Sequence, residues 1–470
     1  MRWQNLTVVG LIVSAFCSSL VGAERPNVLL IVADDLGWAD LNCYGSSFHE
    51  TPHLDRLASS GTRFEQAYAA SPVCSPTRAS ILTGKHPARL HMTIWRESAK
   101  NRGNRRLLQP VCLDSLPLEH ETLAEVLRAK GYFTAHIGKW HLGRAEAYPQ
   151  AHGFNINVGG TLWGAPQSFW YPFNGDAYFR DWRYVPDLEP SAPGDYLTDR
   201  LTDEAIELME YSAEADRPFF INLWYHTVHT PIEGKPELVK YFDAKAKAGP
   251  QKNPHYAAMV HSLDENVGRV LAGLKALGLE KNTLVVFTSD NGGFVNECKL
   301  HPDMQVTSNA PLRSGKGSCY EGGVRVPLIF AGGGTLSNEE VQAPVWSCDL
   351  MPTILDMVGL GKEIPSGLDG QSLRRALKDQ SQLAERNLYF HYPHYYPTTT
   401  PVSAVRSRDW KLLEYYEDGK RELYDLSTDI GESTNLAVSF PEVTTRLAKE
   451  LQQWREQVDA QEPEVNPSKN

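Results

Sequence analysis

The chain has 470 residues, 41% hydrophobic and 22% charged, a globular composition with enough apolar material for one large core and a smaller second unit. Its formal net charge is -11, from 46 Lys and Arg against 57 Asp and Glu, which argues against nucleic acid as a partner. An anionic ligand then requires a local cluster of positive side chains.

In chain order, Met1 and Arg2 precede a polar stretch, an apolar run from Val8 to Phe16 and a small-residue end at Val21-Gly22-Ala23. This pattern predicts a secretory signal cut after Ala23 and an exported mature chain, whether periplasmic, secreted or lumenal. The run is too short to cross a bilayer, and no later segment reaches the length of a membrane span. Bulky Phe16 before Cys17 fits a lipid-attachment site poorly.

Asn27 to Val32 is a continuous apolar run stopped by Ala33-Asp34-Asp35, the pattern of a strand buried on both faces. Thr51-Pro52 reads as an N-cap followed by proline at the first helical position. Helices at Glu121–Lys130, Leu201–Tyr211 and His255–Leu277 each precede a short apolar strand, at Phe133–His136, Phe219–Trp224 and Leu284–Thr288. Such alternation predicts an α/β fold, a large, mostly parallel central sheet sandwiched by helices. Polar clusters follow three of the strands, at Asp34-Asp35, His226 to His229 and Asp290-Asn291. In open sheets ligands gather beyond the carboxyl ends of strands, which places the site there.

From about Gln380 the texture changes to short, tyrosine-rich alternating runs between Asn387 and Tyr424, then an amphipathic helix from Pro441 to Val458. This predicts a smaller C-terminal antiparallel sheet plus one helix, with residues 462–470 frayed. The expected division is residues 1–23 as the signal, 24–380 as the main domain and 381–470 as the C-terminal α+β unit.

Six cysteines remain after the signal: Cys43, Cys74, Cys112, Cys298, Cys319 and Cys348. No CxxC pair is present, so neither a zinc ribbon nor a thioredoxin-type site is expected. Cys74-Ser75-Pro76-Thr77-Arg78 is the most specific segment, because Pro76 suits a first helical turn and would set Cys74 at a helix N-terminus with Arg78 on the same face. A helix N-terminus with a guanidinium binds anions, although a thiol packed beside a cap is the plainer alternative. Asp34, Asp35, Asp290 and Asn291 offer hard oxygen ligands suited to Ca²⁺ or Mg²⁺; on a surface such a pair would be only a solvated turn. In an extended chain Lys139 and His141 would point at one ligand. His226 and His229 could be half a zinc site, but no nearby Glu completes the pattern. Lys316 is followed by Gly317 where a P-loop would need Ser or Thr, which rules that motif out.

The run Cys74-x-Pro76-x-Arg78 with Thr83-Gly84 downstream resembles the maturation signature of the type I sulfatases, whose cysteine is oxidised to formylglycine. The resemblance extends over nearly the whole mature chain, from Arg25-Pro26-Asn27 to Thr434-Asn435-Leu436. It implies an alkaline-phosphatase-like fold and a catalytic domain at 24–380. It also implies one divalent cation, Ca²⁺ in preference to Mg²⁺, held by Asp34, Asp35, Asp290, Asn291 and the modified Cys74. A formylglycine-generating enzyme is then the maturation partner. The resemblance assigns catalytic work to Arg78, Lys139, His141, His229 and Lys316, with His229 and Lys316 at the leaving oxygen.

An aldehyde hydrate answers a chemical need, since an ordinary alcohol or thiol has no easy route to release sulfate once it has attacked sulfur. The expected substrate is a sulfated carbohydrate, attacked from its end, or another sulfate ester. Trp163, Phe169-Trp170-Tyr171 and His391 to Tyr396 could stack on a sugar, most of them being core instead, with His394 and Arg406 as candidate substrate contacts. Two other readings remain open: a formylglycine- or metal-dependent phosphodiesterase or phosphonate hydrolase of the same superfamily, and a non-catalytic binder of sulfated glycans.

Overall fold

The run Asn27–Ala33 forms a strand, β1, buried at every position. The computed structural model describes residues 25–247, 249–379 and 383–469. The expected signal and the boundary expected at 380/381 lie outside the described residues. The further strands are β2 (Thr62–Tyr68), β3 (Leu107–Leu108), β4 (Phe133–Gly138), β5 (Ile156–Val158), β6 (Phe219–Trp224), β7 (Thr283–Ser289), β8 (Arg325–Gly332), β9 (Glu339–Val341) and β10 (Val345–Trp346). The C-terminal ones are β11 (Asn387–Tyr392), β12 (Val402–Ser407), β13 (Trp410–Tyr415), β14 (Arg421–Asp425) and β15 (Glu464–Val465).

Among the described residues, nine strands make one sheet in the order β10-β2-β8-β7-β1-β6-β4-β5, with β9 beside β2. β8 runs antiparallel to both β2 and β7, and the other pairs are parallel, so the sheet is mostly parallel as expected. Side chains alternate across a strand, and β1 shows why its sequence is apolar throughout. Leu29 and Ile31 join one core with Leu201, Met259 and Leu263 from the helices Leu197–Glu214 and Pro254–Ala276. Val28, Leu30 and Val32 join the opposite core with Leu82, Leu127 and Ile354.

The four strands β11 to β14 form an antiparallel meander, the predicted small sheet. The helix Pro441–Gln457 packs Leu447, Leu451 and Trp454, spaced i, i+4, i+7, against Val405, Leu412 and Leu423 of that sheet. Each such side chain contributes on the order of 1.5–3 kcal/mol when fully buried. Leu388, Phe390 and Ala404 on the meander's other face pack with Tyr68, Val73 and Trp346 of the main sheet's side.

Two expectations need correction. The described part of the tail, to residue 469, is not frayed: β15 pairs with β3, and Asn466, 2% exposed, is bound to the carbonyls of Arg105 and Arg106. Thr51 precedes the helix Pro52–Ser59 but does not cap it with its side chain. The amides of His53 and Leu54 donate instead to Asp264 from the helix Pro254–Ala276. All six described cysteines are free.

Candidate active site

β1 and β7 are parallel neighbours in register from Asn27–Thr283 to Ala33–Ser289, so the residues that follow both strands emerge side by side. Asp34, Asp35, Asp290 and Asn291 are all buried at that edge, none more than 1% exposed. The Asp35 amide donates to Asp290 Oδ1 at 3.2 Å, and Asn291 Nδ2 donates to Asp35 Oδ1 at 2.7 Å. β6, on the other side of β1, delivers His226 and His229, and β4 beyond it delivers Lys139 and His141.

Cys74 is the first residue of the helix Cys74–Thr83, every residue of which is buried. Gly84 ends that helix in the left-handed conformation, φ 65°, which glycine adopts without a Cβ penalty. Cys74, Asp34 and Asp290 each offer a ligand atom within 4.8 Å of one another, as do Asp34, Asp35 and His229. Arg78 runs beneath them: Nε donates to Asp290 Oδ2 at 2.8 Å, Nη1 to the Lys139 carbonyl at 3.1 Å, and the guanidinium lies 4.9 Å from the Trp224 ring centroid. Lys139 Nζ donates to both oxygens of Asp34 at 2.8 Å, and Lys316 Nζ donates to Asp35 at 2.8 Å.

These residues fit a hard divalent cation. Three carboxylates converge away from water, and Asn291 Oδ1 is buried with no hydrogen-bond partner among the described residues. Burial raises the Asp34 carboxyl well above its usual range; Asp290 and Asp35 add to the effect while Lys139 and Arg78 oppose it. Burial acts in the same sense on Asp35, but Lys316, His229 and Lys139 outweigh it and leave that carboxyl below its usual range. Conversely, burial works against the Lys316 ammonium, yet Asp35 and Cys74 hold its proton more firmly than in water.

The opening above this cluster is a cavity of about 190 Å³. Cys74, Asp35, His141, His229 and Lys316 reach its wall, whereas Arg78 and Lys139 are fully buried behind the carboxylates. His229 Nδ1 lies 2.7 Å from the Thr230 carbonyl, and its Nε2 is 3.6 Å from Asp35 Oδ2. His226 is 2% exposed, with neither ring nitrogen partnered among the described residues. Burial and the adjacent cations Lys139 and Arg78 keep it neutral.

Three expectations differ from the structure. The chain is not extended through Lys139-Trp140-His141, since His141 takes a left-handed backbone, φ 58°. His394 is completely buried, with Nε2 2.8 Å from Thr93 Oγ1 and Nδ1 2.8 Å from Gln109 Oε1, so it does not reach the cavity. Arg406 is 3% exposed and donates to the Tyr68 hydroxyl and Gln66, joining the C-terminal sheet to β2. Arg406 thus pins the small sheet to the main one, while His394 ties the segment after β11 to the loops that carry Thr93 and Gln109.

The cavity wall also holds Tyr396, from the aromatic stretch expected to stack on a sugar, and Trp95, Glu97, Phe179 and Arg183, which are not singled out in the sequence. Glu97 Oε2 is 3.3 Å from His141 Nε2, and Arg183 stacks on Phe179 at 3.6 Å from its centroid. They belong to irregular loops with no periodicity to read, and Glu97 between Arg96 and Ser98 carries no motif. Of the aromatic candidates, Phe169 is core, and Trp163 is half-buried with Arg96 and Arg183 over its ring.

The family model described as Sulfatase matches residues 26–360, and that described as N-sulphoglucosamine sulphohydrolase, C-terminal, matches residues 315–457. The chain is 32% identical to a sulfatase of Formosa agariphila over 96% of its own length and 93% of that relative. It is also 33% identical to arylsulfatase A of Homo sapiens, covering 95% of this chain and 90% of that one. Among solved structures, the crystal structure of Ps i-CgsB in complex with k-i-k-neocarrahexaose superimposes with a TM-score of 0.75 at 30% identity, covering 92% of each chain. The chain therefore belongs to the type I sulfatase family, with its alkaline-phosphatase-like fold, and is a sulfuric ester hydrolase.

Proposed function

We propose that the protein removes sulfate from a terminal unit of a sulfated carbohydrate, using a formylglycine made from Cys74 and one Ca²⁺ ion. The observation that carries this reading is the meeting of Cys74, at the start of a buried helix, with Asp34 and Asp290 beneath a cavity walled by His141, His229 and Lys316. A cavity of about 190 Å³ is smaller than the ~300–1,000 Å³ of ordinary ligand pockets, which suits one sulfated unit presented end-on. Two relatives support a galactose-based sugar: the structural relative that holds neocarrahexaose and the N-acetylgalactosamine-6-sulfatase of Sus scrofa, 32% identical over 83% of this chain and 72% of that one.

Asp34, Asp35, Asp290 and Asn291 would hold the ion with the modified Cys74. When bound, it supplies positive charge beside the sulfate oxygens. The aldehyde hydrate supplies two oxygens on one carbon, one to attack sulfur and the other to expel sulfate afterwards. Lys316, kept charged by Asp35, stabilises negative charge that develops on the sulfate and leaving oxygens. With its Nδ1 occupied by the Thr230 carbonyl, His229 has Nε2 free to work at the leaving oxygen alongside Lys316. His141 is placed to accept a proton from the hydrate, and Glu97 orients its ring. Arg78 and Lys139 act from below, fixing Asp290 and Asp34 and adding positive field without touching the cavity. Export past the signal ending near Ala23 and a formylglycine-generating enzyme on the same route complete this reading.

The test has two parts on protein co-expressed with a formylglycine-generating enzyme. Mass spectrometry should find the aldehyde in the peptide containing Cys74, and sulfate should be released from sulfated galactose-based oligosaccharides faster than phosphate from matched phosphate esters. An intact thiol, or a preference for phosphate, defeats the proposal.

A further inference from the structure

A second cleft of about 200 Å³ adjoins the active-site cavity. The two share Trp95 and Tyr396, whose rings meet edge-on with centroids 5.9 Å apart, so these aromatics form a partition between two small compartments. Lys100, Arg102 and Arg105 line the second cleft together with Tyr395, and no carboxylate is part of that lining. In a chain of net charge -11 this is a local reversal of sign. Among the described residues no carboxylate pairs with any of the three cations, and the Arg105 guanidinium lies 4.7 Å from the Tyr395 ring centroid with its buried Nε unpartnered. Glu417, outside the lining, takes the Tyr395 hydroxyl as a donor at 2.8 Å.

The basic segment is braced by tertiary contacts. β3 directly follows Arg105 and Arg106 and pairs with β15 of the C-terminal tail, while Asn466 holds the carbonyls of both arginines. The Leu107 amide donates to the Tyr395 hydroxyl at 3.1 Å. The tail thus presents a preorganised row of cations at the side of the catalytic cavity, which lowers the ordering cost of binding.

Resting on the reading of the protein as a carbohydrate sulfatase, we propose that this cleft is a second anion subsite, holding a negatively charged group on the saccharide unit next to the one being desulfated. Two compartments of one-unit size divided by aromatics fit a chain of sugars better than a single bulky ligand. Stacking on Trp95 and Tyr396 would position the rings, and the arginines would pair with a sulfate or a uronate carboxylate in fork geometry. The preferred substrate is therefore an oligosaccharide charged on adjacent units.

The experiment uses the mature enzyme and sets of galactose- and hexosamine-based oligosaccharides sulfated identically on the terminal unit. Their second unit carries a sulfate, a uronate carboxylate or no charge. The expected result is a kcat/KM at least tenfold higher for a charged than for a neutral second unit, arising mainly in KM and shrinking as ionic strength rises. In Arg102→Ala and in Arg102→Ala/Arg105→Ala the ratio should fall toward one. Arg102 is solvent-exposed, so the single variant keeps the test independent of folding. The sulfate and carboxylate arms identify which anion the cleft takes. A ratio near one in the unaltered enzyme, or a ratio that the substitutions leave intact, overturns the subsite while the sulfatase reading stands. No turnover of any member overturns the carbohydrate reading and the subsite with it.

Discussion

Glu97 Oε2 lies 3.3 Å from His141 Nε2 across the mouth of the catalytic cavity, joining a loop residue to the segment that follows β4. Burial raises the Glu97 carboxyl, but the hydrogen bond and charge of His141 dominate and bring it down to about 2. Burial pushes His141 the other way, below its ordinary value, with Glu97 partly restoring it. The carboxylate is thus ionised and holds the ring in one orientation.

Glu97→Gln should lower kcat on an aryl sulfate by about 10- to 100-fold, the worth of a charge-assisted hydrogen bond of about 1.5–3 kcal/mol. Removing the negative charge lowers the His141 pKa further, so the acid limb of the rate profile should move to lower pH. Profiles of kcat against pH for both proteins check this. An unchanged rate and limb would remove Glu97 from the catalytic apparatus.

Gly164 faces the His141 imidazole. A Cβ placed there would lie 2.2 Å from Cε1 and 2.4 Å from Nδ1, far inside van der Waals contact. Gly164→Ala should therefore displace the ring and reduce kcat by at least tenfold, with only a small fall in Tm because the ring lines a cavity into which it can move. Steady-state kinetics beside a melting curve separate the two effects.

The convergence of Asp34, Asp35 and Asp290 leaves like charges buried together, with burial raising the Asp34 carboxyl and Asp290 and Asp35 adding to it. A cation that binds only the folded chain adds about 2.7 kcal/mol when present at 100 times its Kd. Titration with Ca²⁺ after chelation should raise Tm progressively, and Asn291→Ala should shift the midpoint to at least tenfold higher Ca²⁺. A Tm indifferent to Ca²⁺ in both proteins would count against a bound cation.

His86 and His391 brace the C-terminal unit. His86 Nε2 lies 3.1 Å from the Tyr389 carbonyl with its ring edge-on to Trp454 at 4.7 Å, and His391 Nε2 lies 3.0 Å from the Gln461 carbonyl. Burial lowers the pKa of both from 6.5, to about 4 for His86, where Asp369 opposes and Arg89 assists, and to about 3 for His391, where Arg455 and His86 assist. The unfolded chain then binds more protons between these values and 6.5, so the stabilisation is complete above pH 6.5 and is lost as pH falls through about 4. Melting curves between pH 7.5 and 4 should show Tm falling across that interval. In His391→Gln the fall should be shallower, and an equal slope would contradict the assignment.

Much of the fold was readable because period and punctuation carry it. The β1 run, the strands at 219–224 and 284–288 and the long helix at Pro254–Ala276 follow from apolar continuity, helical spacing and the polar stops after them. Those stops also named Asp34, Asp35, Asp290 and Asn291, since residues following parallel strands converge at one sheet edge. Cys74 and Arg78 were legible from a local motif, and the helix it opens is present.

What the sequence by itself determined, then, is what neighbours along the chain decide: strands, helices and the donors at their ends. Tertiary structure alone decided the rest. Asp264 caps a helix about 210 residues away in place of Thr51, and β15 returns to pair with β3 and order the basic loop. His394 and Arg406 turned inward as braces, leaving Trp95, Glu97, Arg183 and Tyr396 to wall the cavity. The physical reason is that a side chain's partner in these cases is set by packing between distant segments, and loops lack the periodicity that would announce which way each residue faces.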